Sequence, residues 1–361
     1  MVMLSTDRKV KFRMIGLMSG SSLDGLDICY CEFTKDGTVW AYTMGHAETI
    51  KYPQKLQRQL RMAMNYNAEE LTQLDFSYGK YIGQLTSNFI GKHRLKVDYI
   101  AWHGHTILHN PSKGYTLQIG KGAAIAAETG IPCITDFRSG DICRGGQGAP
   151  LVPIGDKLLF HDFDICLNLG GIANISYDSP ESHRLAYDVC VCNMILNHLA
   201  GLAGKEYDHD GTMGKAGQVI PQMLHELENL EYYKNPSPKS LGREWFQSII
   251  VPVLNGYAEF PLSNQMRTAY EHITSRIADD CNRPGKKTLL ATGGGAKNKF
   301  LMELIGQKTK LEITIPDSKT IDFKEALIFA FLGVLYLQKE PGALSSVTGA
   351  SSNSIAGCLY Y

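Results

Sequence analysis

The feature that most constrains this chain is an apolar strand that runs into a glycine-containing turn and is followed by a second strand. Near the start, Val10 to Met18 predict the first strand and Leu26 to Phe33 predict the second. The turn between them is GSSLDG, residues 20–25. The arrangement recurs in FDICLNLGGIANISY, residues 163–177, where two β-rich runs flank a glycine pair and a further short run ends in Asp188. Both copies place a glycine turn at the end of a strand.

Helical patterns lie between these strands. Residues 122–138, GAAIAAETGIPCITDFR, predict a helix closed by Gly130 and then a strand, which is the rhythm of an α/β layer. The apolar run from Ala326 to Leu337 is shorter than the roughly 20 residues that span a bilayer, and it predicts a buried helix. The polar, Pro-rich run 234–246 predicts a surface excursion before a helix. One further apolar stripe, which we expect to pack on a sheet, recurs at helical spacing: Leu71, Leu74, Tyr78, Ile82, Leu85 and Phe89.

Length and charge bound the class of protein. At 361 residues the chain exceeds the size at which one core keeps growing, so we expect an α/β protein of two lobes with a cleft that suits a small-molecule enzyme. We assign residues 1–135 and the tail 345–361 to the first lobe and residues 136–344 to the second. Lys plus Arg equals Asp plus Glu at 36 each, so no net charge favours nucleic acid or an anionic membrane. Nine scattered cysteines and a charged start without the apolar stretch of a signal peptide indicate a reduced, cytoplasmic setting.

Three glycine turns are candidates for binding phosphate. A Gly/Ser turn such as residues 20–25 exposes backbone N–H groups that can hold phosphate oxygens, although an ordinary hairpin turn uses the same residues. The GGG of residues 293–295 lets backbone approach a ligand where a strand leads into a helix, or it is a tight strand-to-helix connection. Neither the Walker motif nor GxGxxG occurs in the sequence. Together with Gly170 and Gly171, these turns indicate a nucleotide site split over both lobes.

Eight segments carry a resemblance to one family, in that family's order. They resemble blocks of the anhydro-N-acetylmuramic acid kinases, within the acetate and sugar kinase/Hsc70/actin superfamily. The resemblance implies a two-lobed, actin-like ATPase fold with ribonuclease H-like units, and a homodimer. It also implies a kinase that converts 1,6-anhydro-N-acetylmuramic acid, ATP and water into N-acetylmuramic acid 6-phosphate and ADP in cell-wall recycling. The segments are GLMSGSSLDGLD (16–27), HGHTILHNP (103–111), TLQIG to PLVP (116–153), NLGGIANIS (168–176), KSLGREWF (239–246), GGGAKN (293–298), EALIFAFLG (325–333) and SSVTGA (345–350).

The resemblance implies that Asp188 is the general base that activates water, a role that suits a carboxylate in a dry site. The alternative is that Asp188 caps a helix that begins near Cys192. This segment also departs from the family, since residues 189–192 are Val, Cys, Val and Cys where the family has Thr, Gly, Pro and Gly. The departure keeps open a kinase for another sugar or a catalytically impaired homologue that binds ATP or sugar. Cys190 and Cys192 are interpreted as small buried apolar residues.

The remaining site residues also follow from the resemblance. Asp24 and Asp27 are candidate partners of Mg²⁺ through water, and the alternative for Asp27 is a strand residue that faces solvent. Arg138 has a planar fork that matches the lactyl carboxylate of a muramic sugar, although a structural pair of Asp136 with Arg138 would look the same in sequence. The predicted substrate residues are His103, Asp136, Arg138, Asn193 and Glu325. The predicted ATP and phosphate residues are Gly20, Ser21, Ser22, Leu23, Asp24, Gly25, Leu26, Asp27, Gly170, Gly171, Gly293, Gly294, Gly295 and Asn298.

His105 is a smaller departure, because the family usually carries Gln there. Taken without the resemblance, His103, His105 and His109 form HxHxxxH, which admits a zinc hydrolase whose metal-bound water is the nucleophile. No acidic block with ligand spacing accompanies the three histidines. The resemblance accounts for this segment without a metal, and it implies that His103 contributes to the sugar pocket.

Overall fold

The computed structural model describes residues 10–20, 23, 25–237 and 239–361. Ser21, Ser22 and Asp24, predicted to bind phosphate or magnesium, lie outside the described residues. The chain folds into two compact units, each with its own sheet. Unit 1 contains the described residues up to Leu159 together with Phe323–Tyr361, and unit 2 contains Phe160–Asp322.

The strands are, in chain order, β1 (Val10–Met18), β2 (Gly25–Asp36), β3 (Val39–Lys51), β4 (Tyr99–Trp102), β5 (His105–Asn110), β6 (Tyr115–Ile119), β7 (Cys133–Thr135), β8 (Ile165–Leu169), β9 (Ile172–Asp178), β10 (Arg184–Val191), β11 (Thr288–Thr292), β12 (Glu312–Thr314) and β13 (Cys358–Tyr360). The helices are α1 (Gln54–Met62), α2 (Ala68–His93), α3 (Gly122–Thr129), α4 (Ser139–Ile142), α5 (Val152–Leu159), α6 (Asn193–Leu202), α7 (Thr212–Lys215), α8 (Pro221–Glu228), α9 (Glu231–Lys234), α10 (Arg243–Trp245), α11 (Val251–Asn255), α12 (Leu262–Cys281), α13 (Lys299–Lys308), α14 (Ser318–Leu337) and α15 (Ser345–Thr348).

The two units repeat one strand order. The sheet of unit 1 runs β13-β7-β4-β1-β2-β3, and the sheet of unit 2 runs β10-β9-β8-β11-β12. Apart from β13, each sheet places its first strand between its second and fourth. The second strand is antiparallel to its neighbours, and the first, fourth and fifth strands are parallel. This is the topology of the ribonuclease H-like units of actin-like ATPases, and it confirms the predicted fold class.

The predicted stripe of apolar residues forms one face of α2. An Asn67–Glu70 capping box starts this helix, because each side chain accepts a hydrogen bond from the other residue's backbone N–H. Leu74, Tyr78, Ile82 and Phe89 are buried in one cluster with residues of β1 and β4. The expectation that this stripe packs on a sheet is confirmed. The helix closed by Gly130 is confirmed too, since α3 ends there in a left-handed conformation with φ of 66°.

The helix α14 packs closely on the sheet of unit 1. A Cβ placed on Gly16 of β1 would lie 2.0 Å from the carbonyl oxygen of Ala326, so glycine permits this approach. Residues Ala326 to Leu335 of α14 are buried, which confirms the predicted buried helix. In the described part of the chain, no helix has the length and apolarity that crossing a membrane requires.

The unit boundaries differ from those drawn on the sequence. Residues 136–159 and 323–344 group with unit 1 rather than with the second lobe. The reason is long-range contact within unit 1, where α14 covers β1 and the Thr348 hydroxyl donates to Asp141 Oδ1 at 2.7 Å. At the end of the chain, β13 pairs antiparallel with β7.

The core of unit 2 surrounds the sheet that contains β8, β9 and β10. The residues after Asp188 belong to this core, since Val189 to Cys192 are at most 1% exposed. The interpretation of Cys190 and Cys192 as buried apolar residues is confirmed. The short run expected to end at Asp188 instead continues as β10 to Val191. The helix after GGG also starts later than expected, because a 3₁₀ turn, Gly294–Lys297, precedes α13.

Candidate active site

Arg138 is the centre of a polar group in unit 1. Its Nε and one terminal nitrogen donate to His103 Nε2, at 3.1 and 2.8 Å, and its other terminal nitrogen donates to the Gly148 carbonyl at 2.6 Å. Burial, together with the charge of Arg138, holds the pKa of His103 well below its usual value, so the ring is neutral and accepts these bonds. The three bonds use three of the five guanidinium N–H donors. Arg138 is therefore fixed in place with donors left for a ligand.

Two carboxylates complete this group. Desolvation by neighbouring protein atoms raises the pKa of Glu325, and the charge of Asp27 raises it further. Part of the Glu325 side chain is nevertheless exposed to solvent. Arg138 opposes this rise, and Glu325 in turn counters the burial that lowers the pKa of Arg138 to about 10. Asp27 lies on β2 and accepts from the Thr49 hydroxyl at 2.6 Å. The structure thus joins His103 to Arg138 by hydrogen bonds, and the charge of Glu325 interacts with the charges of Arg138 and Asp27.

Asp136 is oriented differently from these four residues. It follows β7 with φ of 61°, and its Oδ1 accepts from the Ser139 backbone N–H at 3.3 Å, at the start of α4. Arg138 is engaged by His103 and Gly148 rather than by Asp136. The alternative of a structural pair between Asp136 and Arg138 is therefore wrong, and the Asp136 carboxylate accepts from the backbone of Ser139 instead.

A buried chain of hydroxyls supports the start of the first glycine turn. The Tyr52 and Tyr78 hydroxyls lie 2.7 Å apart, and Tyr78 donates to Ser19 Oγ at 3.2 Å. Because that oxygen already accepts from Tyr78, its own proton is available for His105 Nδ1, 3.2 Å away. Burial lowers the pKa of His105 to about 4, so the ring stays neutral near pH 7. Sequence reasoning noticed His105 but missed Ser19, Tyr52 and Tyr78, because hydroxyl residues in apolar runs carry no distinctive signal.

The described residues of the first turn show which groups can meet a phosphate. Leu23 N–H donates to the Gly20 carbonyl at 3.3 Å, and Leu23 has φ of 62°. The side chains of Leu23 and Leu26 are buried in the core of unit 1. A Cβ on Gly25 would lie 2.5 Å from the Ile50 carbonyl oxygen. At Leu23 and Leu26, then, backbone rather than side chain is what can contact a ligand.

The histidine pattern does not assemble a zinc site. Arg138 donates to His103 Nε2, and His109 Nδ1 lies 3.0 Å from the Thr116 hydroxyl. A guanidinium beside His103 opposes a second cation there. Over residues 10–20, 23, 25–237 and 239–361, no group of three or more His, Cys, Asp or Glu could hold a metal ion. The geometry therefore disfavours the hydrolase alternative.

The two glycine turns of unit 2 lie side by side at the end of β8. A Cβ on Gly293, which has φ of 81°, would lie 2.6 Å from Asn168 Oδ1, and one on Gly295 would lie 2.9 Å from the Leu169 carbonyl oxygen. Gly294 has no other atom within 4 Å of its Cβ position, so its face is open. These contacts require glycine at 293 and 295 and leave position 294 accessible to a ligand.

Two asparagines hold these turns. The Asn193 N–H donates to the Gly170 carbonyl at 3.1 Å, and its side-chain amide donates to the Leu169 carbonyl at 2.8 Å. The Gly171 carbonyl accepts from Cys192 N–H at 2.8 Å. Asn298 caps α13 by accepting from Leu301 N–H at 3.1 Å. These bonds give both asparagines a structural task in addition to the ligand contacts predicted for them.

Asp188 lies on β10 and is held by a segment from elsewhere in unit 2. Its Oδ2 accepts from Leu241 N–H at 2.8 Å, and its own N–H donates to the Lys239 carbonyl at 3.0 Å. The Asp188 carbonyl accepts from the Tyr232 hydroxyl at 2.6 Å. Burial raises the pKa of Asp188, and the Leu241 N–H opposes this rise by stabilising the carboxylate.

These contacts change two expectations. The helix cap alternative is wrong, because the N-cap of α6 is Cys192 and no side-chain bond caps it. The run 234–246 is also more than a surface excursion, since Lys239 and Leu241 bind Asp188. The sequence signal that could have found this contact was the resemblance of KSLGREWF, residues 239–246, to a family block.

Comparison with known proteins adds the family. The model for anhydro-N-acetylmuramic acid kinase matches residues 12–361. The anhydro-N-acetylmuramic acid kinase of Aliivibrio fischeri is 34% identical, over 96% of this chain and 99% of that protein. The chain belongs to the anhydro-N-acetylmuramic acid kinase family. Its relative from Pasteurella multocida, also named anhydro-N-acetylmuramic acid kinase, is 33% identical over 96% of each chain.

Membership of the anhydro-N-acetylmuramic acid kinase family confirms the resemblance, and with it the predicted class of enzyme, a sugar kinase that uses ATP. Among solved structures, the activator of the 2-hydroxyisocaproyl-CoA dehydratase from Clostridium difficile with bound ADPNP aligns at 13% identity with a TM-score of 0.42, over 91% of this chain and 97% of that chain. A likeness at this level supports no conclusion about this chain.

Proposed function

We propose that this protein opens the 1,6-anhydro ring of anhydro-N-acetylmuramic acid and phosphorylates O6, giving N-acetylmuramic acid 6-phosphate and ADP. The observation that carries the proposal is Asp188, a half-buried carboxylate of raised pKa that backbone groups hold in one orientation within a chain of this family. A carboxylate of raised pKa is a better proton acceptor than one in water, which is what a general base needs. The predicted cleft between two lobes, the cytoplasmic setting and the homodimer belong to this proposal.

In the reaction, Asp188 takes a proton from water through Oδ1, since Oδ2 is occupied by Leu241 N–H. The water oxygen bonds to the anomeric carbon, and the bond from that carbon to O6 breaks. O6 then bonds to the γ-phosphorus of ATP, and the bond from this phosphorus to the β,γ-bridging oxygen breaks to release ADP. The proton removed from water remains on Asp188 until product leaves. Atoms and charge therefore balance without another reactant.

The polar group of unit 1 would bind the sugar. The donors of Arg138 that His103 and Gly148 leave unused suit the lactyl carboxylate, because a guanidinium pairs with a carboxylate through parallel bonds. His103 keeps the guanidinium plane fixed. The open face of Gly294 and the turn Gly170–Gly171 would accept the phosphates of ATP through backbone groups.

Magnesium fits the carboxylates of unit 1. The charge of Asp27 raises the pKa of Glu325, so a hard divalent cation beside Asp27 would relieve repulsion between the two. Asp27, acting through water, is the described residue that would hold it, and Asp24 is the second candidate. When bound, Mg²⁺ neutralises charge on the phosphates of ATP.

The test incubates the protein with ATP, Mg²⁺ and 1,6-anhydro-N-acetylmuramic acid and follows sugar phosphate and ADP together. We expect one sugar phosphate per ADP, and Asp188→Asn should lower turnover about 10²- to 10⁴-fold. Asp162→Asn is the matched control, because this carboxylate of unit 2 is 85% exposed.

Three outcomes would contradict the proposal. Full turnover by Asp188→Asn would remove Asp188 as the base. Phosphorylation of a different sugar alone would favour the other kinase that the Val189–Cys192 departure admits. Binding of ATP or sugar without any turnover would identify a catalytically impaired homologue.

A further inference from the structure

A polar group of unit 2 lies outside the segments that carry the family resemblance. It is centred on His272 of α12, which is 0% exposed. His272 Nδ1 lies 2.7 Å from Glu228 Oε1, and its Nε2 lies 2.9 Å from the Tyr233 hydroxyl. Glu228 also forms an ion pair with Arg276 at 2.5 Å. A carboxylate, an imidazole and a phenol are thus joined in a line, with the imidazole fully buried.

The direction of the hydrogen bonds along this line is determined. Glu228 forms an ion pair with Arg276, so its oxygens accept hydrogen bonds and His272 Nδ1 donates to Oε1. Burial lowers the pKa of His272 and keeps the ring neutral, which leaves Nε2 as an acceptor. The Tyr233 hydroxyl therefore donates to Nε2. Tyr233 has a single preferred orientation, because reversing its bond would need a second proton on the ring.

Tyr233 belongs to an aromatic segment, defined as the described residues 231–237 and 239–246. The rings of Tyr232 and Tyr233 have centroids 5.5 Å apart, and Trp245 lies 5.5 Å from Tyr232 and 6.4 Å from Tyr233. The Lys239 ammonium lies 4.7 Å from the centre of the Tyr232 ring and donates to the Tyr232 carbonyl at 3.3 Å. Contacts among its own residues thus hold the aromatic segment together, and the hydrogen bond from the Tyr233 hydroxyl attaches it to His272.

The same segment makes the contacts to Asp188 described above. The Tyr232 hydroxyl, the Lys239 carbonyl and the Leu241 N–H bind the Asp188 carbonyl, N–H and Oδ2 respectively. On β10, the Cys190 thiol lies 3.9 Å from the carbonyl of Ile273, the residue after His272. Helix α12 therefore touches both the strand that carries Asp188 and the segment that orients it.

We propose that Tyr233 and His272, with Glu228, are positioning residues for Asp188. They touch neither the Asp188 carboxylate nor a reacting atom, and they act by fixing the aromatic segment whose backbone directs that carboxylate. This inference rests on the proposed function of Asp188 as the base. A base displaced by about 1 Å can lose about a hundredfold in rate, and its substrates bind as before.

The experiment compares Tyr233→Phe with Tyr257→Phe. The control removes a similar bond, from a tyrosine hydroxyl to Glu226 at 3.0 Å, on the exposed surface of the same unit. Tyr233→Phe should lower kcat about ten- to a hundredfold and leave KM for ATP and for the anhydro sugar within about twofold. Tyr257→Phe should leave all three values unchanged. Tyr232→Phe, which removes the bond to the Asp188 carbonyl, should resemble Tyr233→Phe and provides a second variant in case the first does not fold.

The Asp188→Asn background separates positioning from general damage. If Tyr233 acts through Asp188, Tyr233→Phe should cause no further loss of kcat once the base is absent. Three outcomes would overturn the inference. The losses of kcat could multiply in the double variant, KM could rise for both substrates, or kcat could be unchanged in both Tyr233→Phe and Tyr232→Phe. If Asp188→Asn alone retained full turnover, the proposed function itself would fail, and the two failures are thereby distinguished.

Discussion

Units 1 and 2 share a strand order but hold their candidate residues by different means. In unit 1, side chains hold side chains, since His103 fixes Arg138 and a chain of hydroxyls leads to His105. In unit 2, backbone groups hold the candidate residues, because Leu241 N–H donates to Asp188 and glycine lets residues 293 and 295 approach β8. The comparison teaches that one topology supports two kinds of site. Charged residues mark the first kind in a sequence, and the second kind depends on close backbone contacts.

The largest effect is expected where unit 1 uses a close contact of its own, at Gly16. The substitution Gly16→Ala would place Cβ 2.0 Å from the Ala326 carbonyl oxygen, so α14 must move off the sheet. We expect the free energy of unfolding of unit 1 to fall by about 3 kcal/mol, measured by chemical denaturation. Gly91→Ala is the control, because no atom outside its own helix lies near that position. An unchanged unfolding midpoint for Gly16→Ala would show that α14 can shift away from β1 without loss of stability.

The comparison is sharpened in unit 2 by two adjacent glycines. Gly295→Ala would place Cβ 2.9 Å from the Leu169 carbonyl oxygen and 3.1 Å from Asn193 Oδ1, and we expect it to cost about 2 kcal/mol of stability. Gly294→Ala should keep stability, because its face is open, and should weaken binding of a non-hydrolysed ATP analogue in calorimetry. Equal affinity of Gly294→Ala and wild type for that analogue would remove this position from the nucleotide site.

In unit 1 the corresponding test is Arg138→Lys, which keeps the charge and loses the fork. A lysine ammonium cannot reproduce the bonds to both His103 and Gly148, so we expect affinity for the lactyl sugar to fall about tenfold. ATP binding should be unchanged. The measurement compares sugars with and without the lactyl group, and an equal fall for both would contradict the carboxylate contact.

A further effect concerns the hydroxyl chain of unit 1 and its dependence on pH. The pKa of His105 is about 4 in the folded chain. In the unfolded chain, His105 takes up a proton near the ordinary histidine pKa of roughly 6.5, whereas in the folded chain it is still neutral at that pH. Stability supported by neutral His105 is therefore complete above that value and is lost as pH falls toward 4. His105→Gln should remove this part of the pH dependence, and thermal unfolding of both proteins across that range measures it.

His105→Leu separates titration from hydrogen bonding. It also removes the titrating group, but it leaves the Ser19 hydroxyl proton without the His105 acceptor and should be less stable than His105→Gln by about 1 kcal/mol at every pH. Equal stability of the Gln and Leu variants would mean that the Ser19 bond contributes nothing.

Much of the fold follows from local pattern. The strand Val10–Met18 and the helix that ends before Gly130 were predicted because strand period, helix period and a glycine cap act over a few residues. The strand that was expected to end at Asp188 is the instructive failure. Its extension to Val191 places Val189, Cys190 and Val191 in the buried core of unit 2, which a local pattern does not reveal.

The site was predictable by residue type and less so by contact. The resemblance identified Asp188, Arg138 and His103, and the structure shows partners for each. It did not indicate that His103 would accept from Arg138, nor that Tyr232 would bind the Asp188 backbone. Aromatic residues such as Tyr232 and Tyr233 are common core residues, and nothing in their spacing distinguishes a positioning role.

The sequence by itself determined the local elements, the α/β class and the kinds of chemical group available, because these depend on neighbours along the chain. Tertiary structure alone decided which groups meet. Arg138 reaches His103 across 35 residues, Leu241 reaches Asp188 across 53, and Thr348 reaches Asp141 across 207. Such pairings depend on strand register and helix packing, which are set jointly by many weak contacts distant in sequence, so no single segment encodes them.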